Sequence, residues 1–500
     1  MSDAKTVGLT IDGVAVRVPE GTSVLRAAEG AGIAIPHFCY HPAFAAEGSC
    51  RMCLVEIEGS PKLELACSTA VRDGLVVRTA TPRVREARRD VLEFLLADHP
   101  LDCPICDKAG ECKLQDYYEA HGLYPGRFAE AKRKKDKLVR IGKGLILDRE
   151  RCILCTRCVR FLRAVTGTGE LGVFEKGEGA EIGIFEGVPV DNNYAGNLVD
   201  LCPVGAITDA DFRFRTRAWF LDRRPTVCSG CGRGCALFVE SVSGYPLRKG
   251  ERRVFRIRAR ENPAVNGPWI CDLGRAGRRE IDENRRERAA GTADPGRDLS
   301  WQEAVADLAS QIGAVPPADR AGRIAVVLNS FLTLEELALA RKVFVDGLGL
   351  DRVFFDDPAP GEADGPLLTA ERVPNARGVA EAGFSPRRPD PGALARTGIL
   401  VVFGPPVGAH QPHDALAEAF RGVPVKYLFT SHEGPLVRLA DVVVPIAVPA
   451  EKAGTYINVE GIRQTFARAV DPASTVTTES AVLAFLGRRL GLDLGGPDGR

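Results

Sequence analysis

DRERCILCTRCVRF at 148–161, answered by LCPVGAI at 201–207, is the stretch on which the reading of this chain turns. Cys152, Cys155 and Cys158 stand at C-x2-C-x2-C spacing, and a Cys-Pro follows at a distance at Cys202. That combination is the signature of a ferredoxin-type 4Fe-4S site. In two-cluster ferredoxins the distant cysteine serves the other cluster. Here there is one such triplet, so Cys202 is expected to close the same site.

All 15 cysteines lie between Cys39 and Cys271, and the remaining 229 residues have none. Cys39, Cys50, Cys53 and Cys67 have gaps of ten, two and thirteen residues, with GSCRMC at the centre. Gly48 and Ser49 allow a tight loop whose N–H groups approach sulfide, and a 2Fe-2S cluster is the natural occupant. His99, Cys103, Cys106 and Cys112, in HPLDCPICDKAGEC, suit zinc as well as iron taken alone, and the neighbouring groups move the reading to iron. Cys228, Cys231, Cys235 and Cys271 have gaps of two, three and thirty-five. They suit a 4Fe-4S cluster, with a zinc ribbon as the alternative. Four, three, four and four account for all 15 cysteines, with His99 as sixteenth ligand, so no thiol remains for a disulfide pair or a nucleophile.

The rest of the chain bounds the context. At 500 residues and about 150 per domain, roughly three or more compact units are expected. The 66 Lys and Arg balance 66 Asp and Glu, which is not the balance of a nucleic-acid binder. The start, MSDAKTVGLTIDG, has no export signal, and no stretch reads as a membrane span. Cysteines in such a chain read as metal ligands.

VGLTIDGVAVRV (7–18) alternates around an Asp-Gly turn and predicts a hairpin, and 22–32 predicts a helix capped by Thr22. Residues 82–98 predict a helix with Val84, Val91, Leu92 and Leu95 on one face, delivering His99 and the cysteines after it. The basic run at 127–143 reads as a solvated face or a docking surface. From 301 onward helices alternate with buried strands (GRIAVVLNS, RVFFDD, GILVVFG, VKYLFT), which predicts α/β with a mostly parallel sheet, and 358–397 predicts an irregular connection. Gly167, Gly169 and Gly172 match G-x-G-x-x-G but follow a helix, so no dinucleotide site is expected there. His410 and His413 read as loop residues rather than ligands.

In order and spacing these motifs resemble the large iron–sulfur subunit of respiratory complex I, the bacterial NADH:quinone oxidoreductase. VNGPWICDLGR (265–275) and LADVVVPIAVPAEKAGTYINVEGIRQ (439–464), the latter with Glu451, Gly454, Thr455, Asn458 and Gly461, are similar to molybdopterin oxidoreductases. The resemblance implies a multidomain α+β then α/β chain. Its parts would be a ferredoxin-like 2Fe-2S (β-grasp) domain at 1–81, a His/Cys-ligated 4Fe-4S segment at 82–125 and a ferredoxin-like 4Fe-4S region at 126–220. A small 4Fe-4S cluster domain at 221–277 and a truncated molybdopterin-oxidoreductase-like α/β domain at 278–500 would follow.

It further implies one 2Fe-2S cluster, three 4Fe-4S clusters and no molybdopterin. Electrons would come from a flavin-bearing NADH dehydrogenase subunit and leave toward a quinone-reducing arm. Other hydrophilic-arm subunits would be neighbours, and the chain would lie peripherally on the cytoplasmic side of the inner membrane. The diaphorase part of an NAD-linked hydrogenase and a formate dehydrogenase-like chain are the rival readings.

Overall fold

The structure, a computed structural model, describes residues 5–122, 126–242, 253–291, 298–394, 397–406 and 414–495. His410 and His413 lie outside them. The chain divides into two compact units, Met1–Phe220 and Leu221–Arg500.

In the first unit the alternating apolar residues make a hairpin of β1 (Thr6–Ile11) and β2 (Val14–Pro19). Asp12 and Gly13, both at positive φ, form its two-residue turn, the geometry that matches strand twist. With β3 (Leu54–Ile57), β4 (Glu64–Leu65) and β5 (Leu75–Arg78) they build a sheet of order β2-β1-β5-β3-β4, in which β1 and β5 run parallel. The helix α1 (Val24–Gly30) buries Val24, Leu25, Ala27 and Ala28 in the core of this sheet. Its cap is Ser23, which accepts from Arg26 N, rather than the expected Thr22. The Thr22 hydroxyl is spent on the Pro19 carbonyl at 2.7 Å.

The helix α2 (Pro82–Asp98) starts at a Thr81 cap with Pro82 behind it and ends one residue before His99. Val84 and Leu92 are buried, Val91 and Leu95 half-buried. α3 (Lys113–His121) follows the third cysteine of that segment. Next come β6 (Val139–Gly142), β7 (Leu145–Leu147), α4 (Arg157–Phe161), the hairpin of β8 (Leu171–Phe174) and β9 (Glu181–Ile184), α5 (Asn197–Leu201) and β10 (Ile207–Asp209), which pairs back on β7. Gly167 and Gly169 sit at positive φ where a helix ends and β8 begins, and Gly172 lies inside β8. The order is therefore helix then strand, the reverse of a dinucleotide-binding turn.

The second unit opens with an antiparallel sheet of β11 (Asp222–Val227), β12 (Ala236–Ser241) and β13 (Val254–Ala259), followed by α6 (Asp272–Asp282). Then follow β14 (Ala289–Gly291), β15 (Asp298–Leu299), α7 (Trp301–Gly313), α8 (Arg320–Arg323), β16 (Ile324–Leu328), α9 (Leu334–Ala340) and β17 (Val353–Phe355). The expected irregular connection holds only the short α10 (Ala376–Glu381) and α11 (Pro391–Leu394) among its described residues. β18 (Ile399–Phe403), α12 (Asp414–Gly422), β19 (Val425–Thr430), β20 (Val442–Pro445), the hairpin of β21 (Gly454–Ile457) and β22 (Arg463–Phe466), and α13 (Glu479–Arg489) complete it.

The large sheet has order β15-β14-β20-β19-β18-β16-β17, parallel from β20 to β17. Every residue of β16 and β18 is buried because both faces are covered, which is why these strands read as unbroken apolar runs. Ile324, Val326 and Leu328 face a core shared with α7, α9 and α13, and Ala325 and Val327 face one shared with α12. Among the described residues no helix is long and apolar enough to cross a membrane.

Candidate cluster sites

Each group of cysteines singled out by spacing is drawn together by the fold, and all 15 cysteines are free thiols. In the first group Cys39 is paired with Cys50 and Cys53 with Cys67, and the two pairs face one another. The hydrogen bond from Cys50, with the Ser49 hydroxyl and Arg160 nearby, lowers the Cys39 thiol to about 5, against the opposing effect of burial. The backbone N–H groups of Phe38 and Cys39 both point at Cys50 Sγ, at 3.4 Å. The loop is tight: Gly48 is at φ +71, with Leu65 Cδ1 2.8 Å from where a Cβ would stand, and Arg51 is left-handed too.

In the third group Cys152, Cys155, Cys158 and Cys202 line one cavity with Leu147, Ile182, Val204 and Ile207. Burial raises the thiols of Cys152 and Cys155 to about 12 and that of Cys158 well above its ordinary value. In such a place a bare thiolate is disfavoured unless iron or another cation compensates it. Leu154 and Thr156 both hold positive φ in this loop. Left-handed backbone is costly for residues with a Cβ, by about 1–2 kcal/mol each, and it persists where the surroundings over-determine the loop.

The second group is assembled from two sides. Cys103, Cys106 and Cys112 interact with one another in series. His99 caps the C-terminus of α2, and burial pushes its imidazole down to about 4, which keeps it neutral as a ligand must be. Arg151 acts on both His99 and Cys106. A Cβ on Gly205 would stand well inside van der Waals contact distance of Cys106 Sγ, so the Cys202-Pro-Val-Gly205 turn packs directly on this site.

In the basic run at 127–143 Arg127, Arg133, Lys134, Arg140 and Lys143 are exposed, as on a solvated face, and several of its cations also brace α2. Lys132 Nζ donates to the Leu96 and Ala97 carbonyls in the last turn of α2, at 2.5 and 3.1 Å. Arg127 pairs with Asp90 and Glu93, Arg133 with Glu178, and Lys137 with Asp102 and Glu150. These cations tie the segment across the end of α2 and orient the His99 turn.

The fourth group lies in the second unit. Cys228, Cys231 and Cys235 occupy the loop from β11 to β12, and Cys271 caps α6. All four thiols interact mutually, and Cys228 N–H donates to the Cys235 carbonyl at 2.8 Å. A Cβ on Gly274 would stand 3.1 Å from Cys228 Sγ and 4.0 Å from Cys271 Sγ, so a glycine lets the first turn of α6 approach the sulfurs. Among the described residues no three His, Cys, Asp or Glu side chains converge as single-ion ligands. The four ligands of a 4Fe-4S cluster would each hold a different iron and those of a 2Fe-2S cluster would hold two irons in pairs, so the full set is spread wider than the ligands of one zinc.

Two side chains that spacing alone did not single out join the sites. Arg157 is buried, acts on Cys155, Cys202 and Cys39, and donates to the Tyr40 carbonyl. Arg160 donates to the Cys39 carbonyl and, at 3.3 Å, to that of Cys155. The signal was present as arginines interleaved with the cysteines of RCILCTRCVRF. On the other side, Lys113 N–H donates to the Pro203 carbonyl at 3.1 Å and Lys108 Nζ to that of Val199 at 3.2 Å. Within the first unit the third site therefore adjoins both the first and the second.

Sequence comparison finds cluster-binding profiles in the front of the chain. A profile described as a 2Fe-2S iron-sulfur cluster binding domain matches residues 4–82. The NADH-ubiquinone oxidoreductase-G iron-sulfur binding region matches 88–127, and the NADH-quinone oxidoreductase subunit 3 ferredoxin-like domain matches 142–208. The G subunit of NADH-quinone oxidoreductase from Streptomyces coelicolor is 42% identical over 338 residues, covering 66% of this chain and 38% of the relative. The corresponding protein of Mycobacterium bovis is 40% identical, covering 70% and 43%. Subunit 3 of NADH-quinone oxidoreductase from Thermus thermophilus is 39% identical, covering 66% and 45%. A chain in the crystal structure of NAD+-reducing [NiFe]-hydrogenase in the H2-reduced state is 32% identical, covering 42% of this chain and 90% of that one, with a TM-score of 0.39, too low to bear on the fold.

The front of the chain is thus that of an iron–sulfur protein with 2Fe-2S and 4Fe-4S binding domains. Over about two thirds of its length the chain is a homologue of the G subunit of NADH-quinone oxidoreductase. It spans less than half the length of these curated relatives.

Proposed function

We propose that this chain is the iron–sulfur electron-transfer subunit of a complex I-type NADH:quinone oxidoreductase. It relays electrons from a flavin-bearing NADH dehydrogenase subunit toward the quinone-reducing arm, among other hydrophilic-arm subunits on the cytoplasmic face of the inner membrane. The observation that carries this reading is the gathering of the cysteines into four groups with no thiol left over, with His99 placed at the end of α2 ahead of Cys103 as the sixteenth candidate ligand. They are Cys39, Cys50, Cys53 and Cys67 for a 2Fe-2S cluster. His99, Cys103, Cys106 and Cys112, then Cys152, Cys155, Cys158 and Cys202, then Cys228, Cys231, Cys235 and Cys271 serve three 4Fe-4S clusters. When bound, the clusters supply one-electron transfer.

What the chain itself contributes is placement and field. Its thiols are mostly buried, so water is kept from the sites, and Arg151, Arg157 and Arg160 put positive charge beside them. The third ligand group adjoins both the first and the second, which supports a relay order different from the order in sequence.

The five-stranded sheet crossed by α1 supports a β-grasp domain at 1–81, with cluster segments at 82–125, 126–220 and 221–277. The parallel sheet with helices on both faces supports a reduced molybdopterin-oxidoreductase-like domain at 278–500 that binds no molybdopterin. The test is elemental and spectroscopic. Anaerobically purified chain is expected to hold about 14 irons over these sixteen ligands, two in the first group and four in each of the others. Dithionite should reduce it, and NADH should not without an added flavoprotein. One equivalent of persistent zinc in place of four irons would overturn the assignment of the group concerned.

A further inference from the structure

The loop carrying Cys231 and Cys235 is gripped by a hairpin some 225 residues further along the chain. Its spacer is Gly232-Arg233-Gly234, and all three spacer carbonyls accept hydrogen bonds from the β21–β22 hairpin. Gly232 O accepts from Val459 N at 2.8 Å, Arg233 O from Asn458 Nδ2 at 3.3 Å and Gly234 O from Gln464 Nε2 at 2.7 Å. The Arg233 guanidinium also pairs with Glu460 at the hairpin tip. Asn458 is fully buried and Gln464 is 8% exposed. Asn458 Oδ1 accepts from the N–H groups of Glu460 and Ile462, at 3.0 and 2.8 Å, so the same side chain shapes the hairpin turn. Gly234 is at φ +62, and a Cβ there would stand 2.6 Å from Gln464 Oε1, so the close approach itself requires glycine.

A trans peptide points the carbonyl of one residue and the N–H of the next to opposite sides. With three successive carbonyls turned to the hairpin, the N–H groups of Arg233, Gly234 and Cys235 face away from it. The Gly234 N–H is taken by the Cys231 carbonyl at 3.3 Å, which leaves those of Arg233 and Cys235. We propose that Asn458 and Gln464 are positioning residues that aim these backbone amides at the sulfur of a cluster held by Cys228, Cys231, Cys235 and Cys271, and thereby set its potential. The inference rests on the ligand assignment made above. Amide hydrogen bonds to sulfur stabilise the more negative, reduced state, so the grip raises the midpoint.

The experiment is potentiometric EPR with iron analysis on the full anaerobic chain and on Asn458→Ala, Gln464→Ala and Gln464→Met. The Ala variants are expected to lower the midpoint of the fourth cluster and leave the other three signals in place. The reduced fraction at a fixed poise should fall by up to about tenfold, or about 59 mV for one electron. Should an Ala variant lose the fourth cluster outright, Gln464→Met decides. It fills nearly the same space, carries no charge and removes the donor to Gly234 O, so a lowered midpoint supports the proposal and a parental one overturns it. Parental midpoints in all variants, beside a parent with the full complement of iron, overturn the positioning role alone. A parent that shows three signals and lacks four irons overturns the ligand assignment itself.

Discussion

His99 is the one imidazole among sixteen candidate ligands, and its setting explains how a lone histidine can serve. The end of α2 fixes its backbone, Lys132 holds the preceding carbonyls, and burial keeps the ring neutral. A neutral ligand in place of a thiolate removes one negative charge from the site and favours reduction, as in Rieske centres. His99→Cys is therefore expected to retain the cluster and lower its midpoint by on the order of a hundred millivolts. Potentiometric EPR beside the parent checks this, and an unaltered spectrum would make His99 a bystander. Arg157 and Arg160 teach the complementary lesson. Their positions next to cysteines were visible in sequence, but not that they reach back to the Cys39 loop, 121 residues away for Arg160.

Among the elements, α9, α13 and the segment leading into β21 are locked by a buried charge network. Lys452 Nζ lies 2.8 Å from Glu336 and 2.9 Å from Glu479, and all three residues are buried. Burial and the neighbouring Glu336 push the Glu479 carboxyl up from its ordinary 4.5 to about 7, with Lys452 opposing. As pH rises from 4.5 toward 7, an unfolded Glu479 gives up its proton while the folded one keeps it. The folded state then binds more protons, so this group makes stability fall with rising pH across that window and adds no further slope above it. Glu479→Gln should flatten that part of the profile, read as denaturant midpoints against pH for parent and variant. A profile identical to the parent's would show that Glu479 stays ionised. Most of these elements were legible from apolar periodicity, because β16, β18 and α7 bury what their patterns offer. The Ser23 cap was not, since Thr22 and Ser23 are both capping residues and only the turn at Pro19 decides between them.

For the whole molecule, the lack of any cysteine after Cys271 by itself leads to the expectation that residues 301–500 can be removed with the cluster spectra largely intact. The grip of the β21–β22 hairpin on Gly232, Arg233 and Gly234 revises that expectation for one site. Deleting residues 301–500 is now expected to leave the three front signals and to abolish or shift the fourth, with iron falling from 14 toward 10. EPR and iron analysis of the truncated chain measure it, and loss of the front signals as well would show that Met1–Phe220 does not stand as a unit.

Cysteine spacing by itself determined which residues group together, because ligands of one cluster within a short loop must recur at intervals the backbone can wrap. It also determined the alternation of buried strands and helices in the rear part, since a sheet covered on both faces demands unbroken apolar runs. Only the tertiary structure decided that the third site adjoins both the first and the second, that Lys132 braces the His99 turn, and that a late hairpin holds the fourth loop. Each of these is a hydrogen-bonded or electrostatic contact between residues far apart in the chain. No local periodicity or spacing encodes which carbonyl a distant Asn, Lys or Arg will reach.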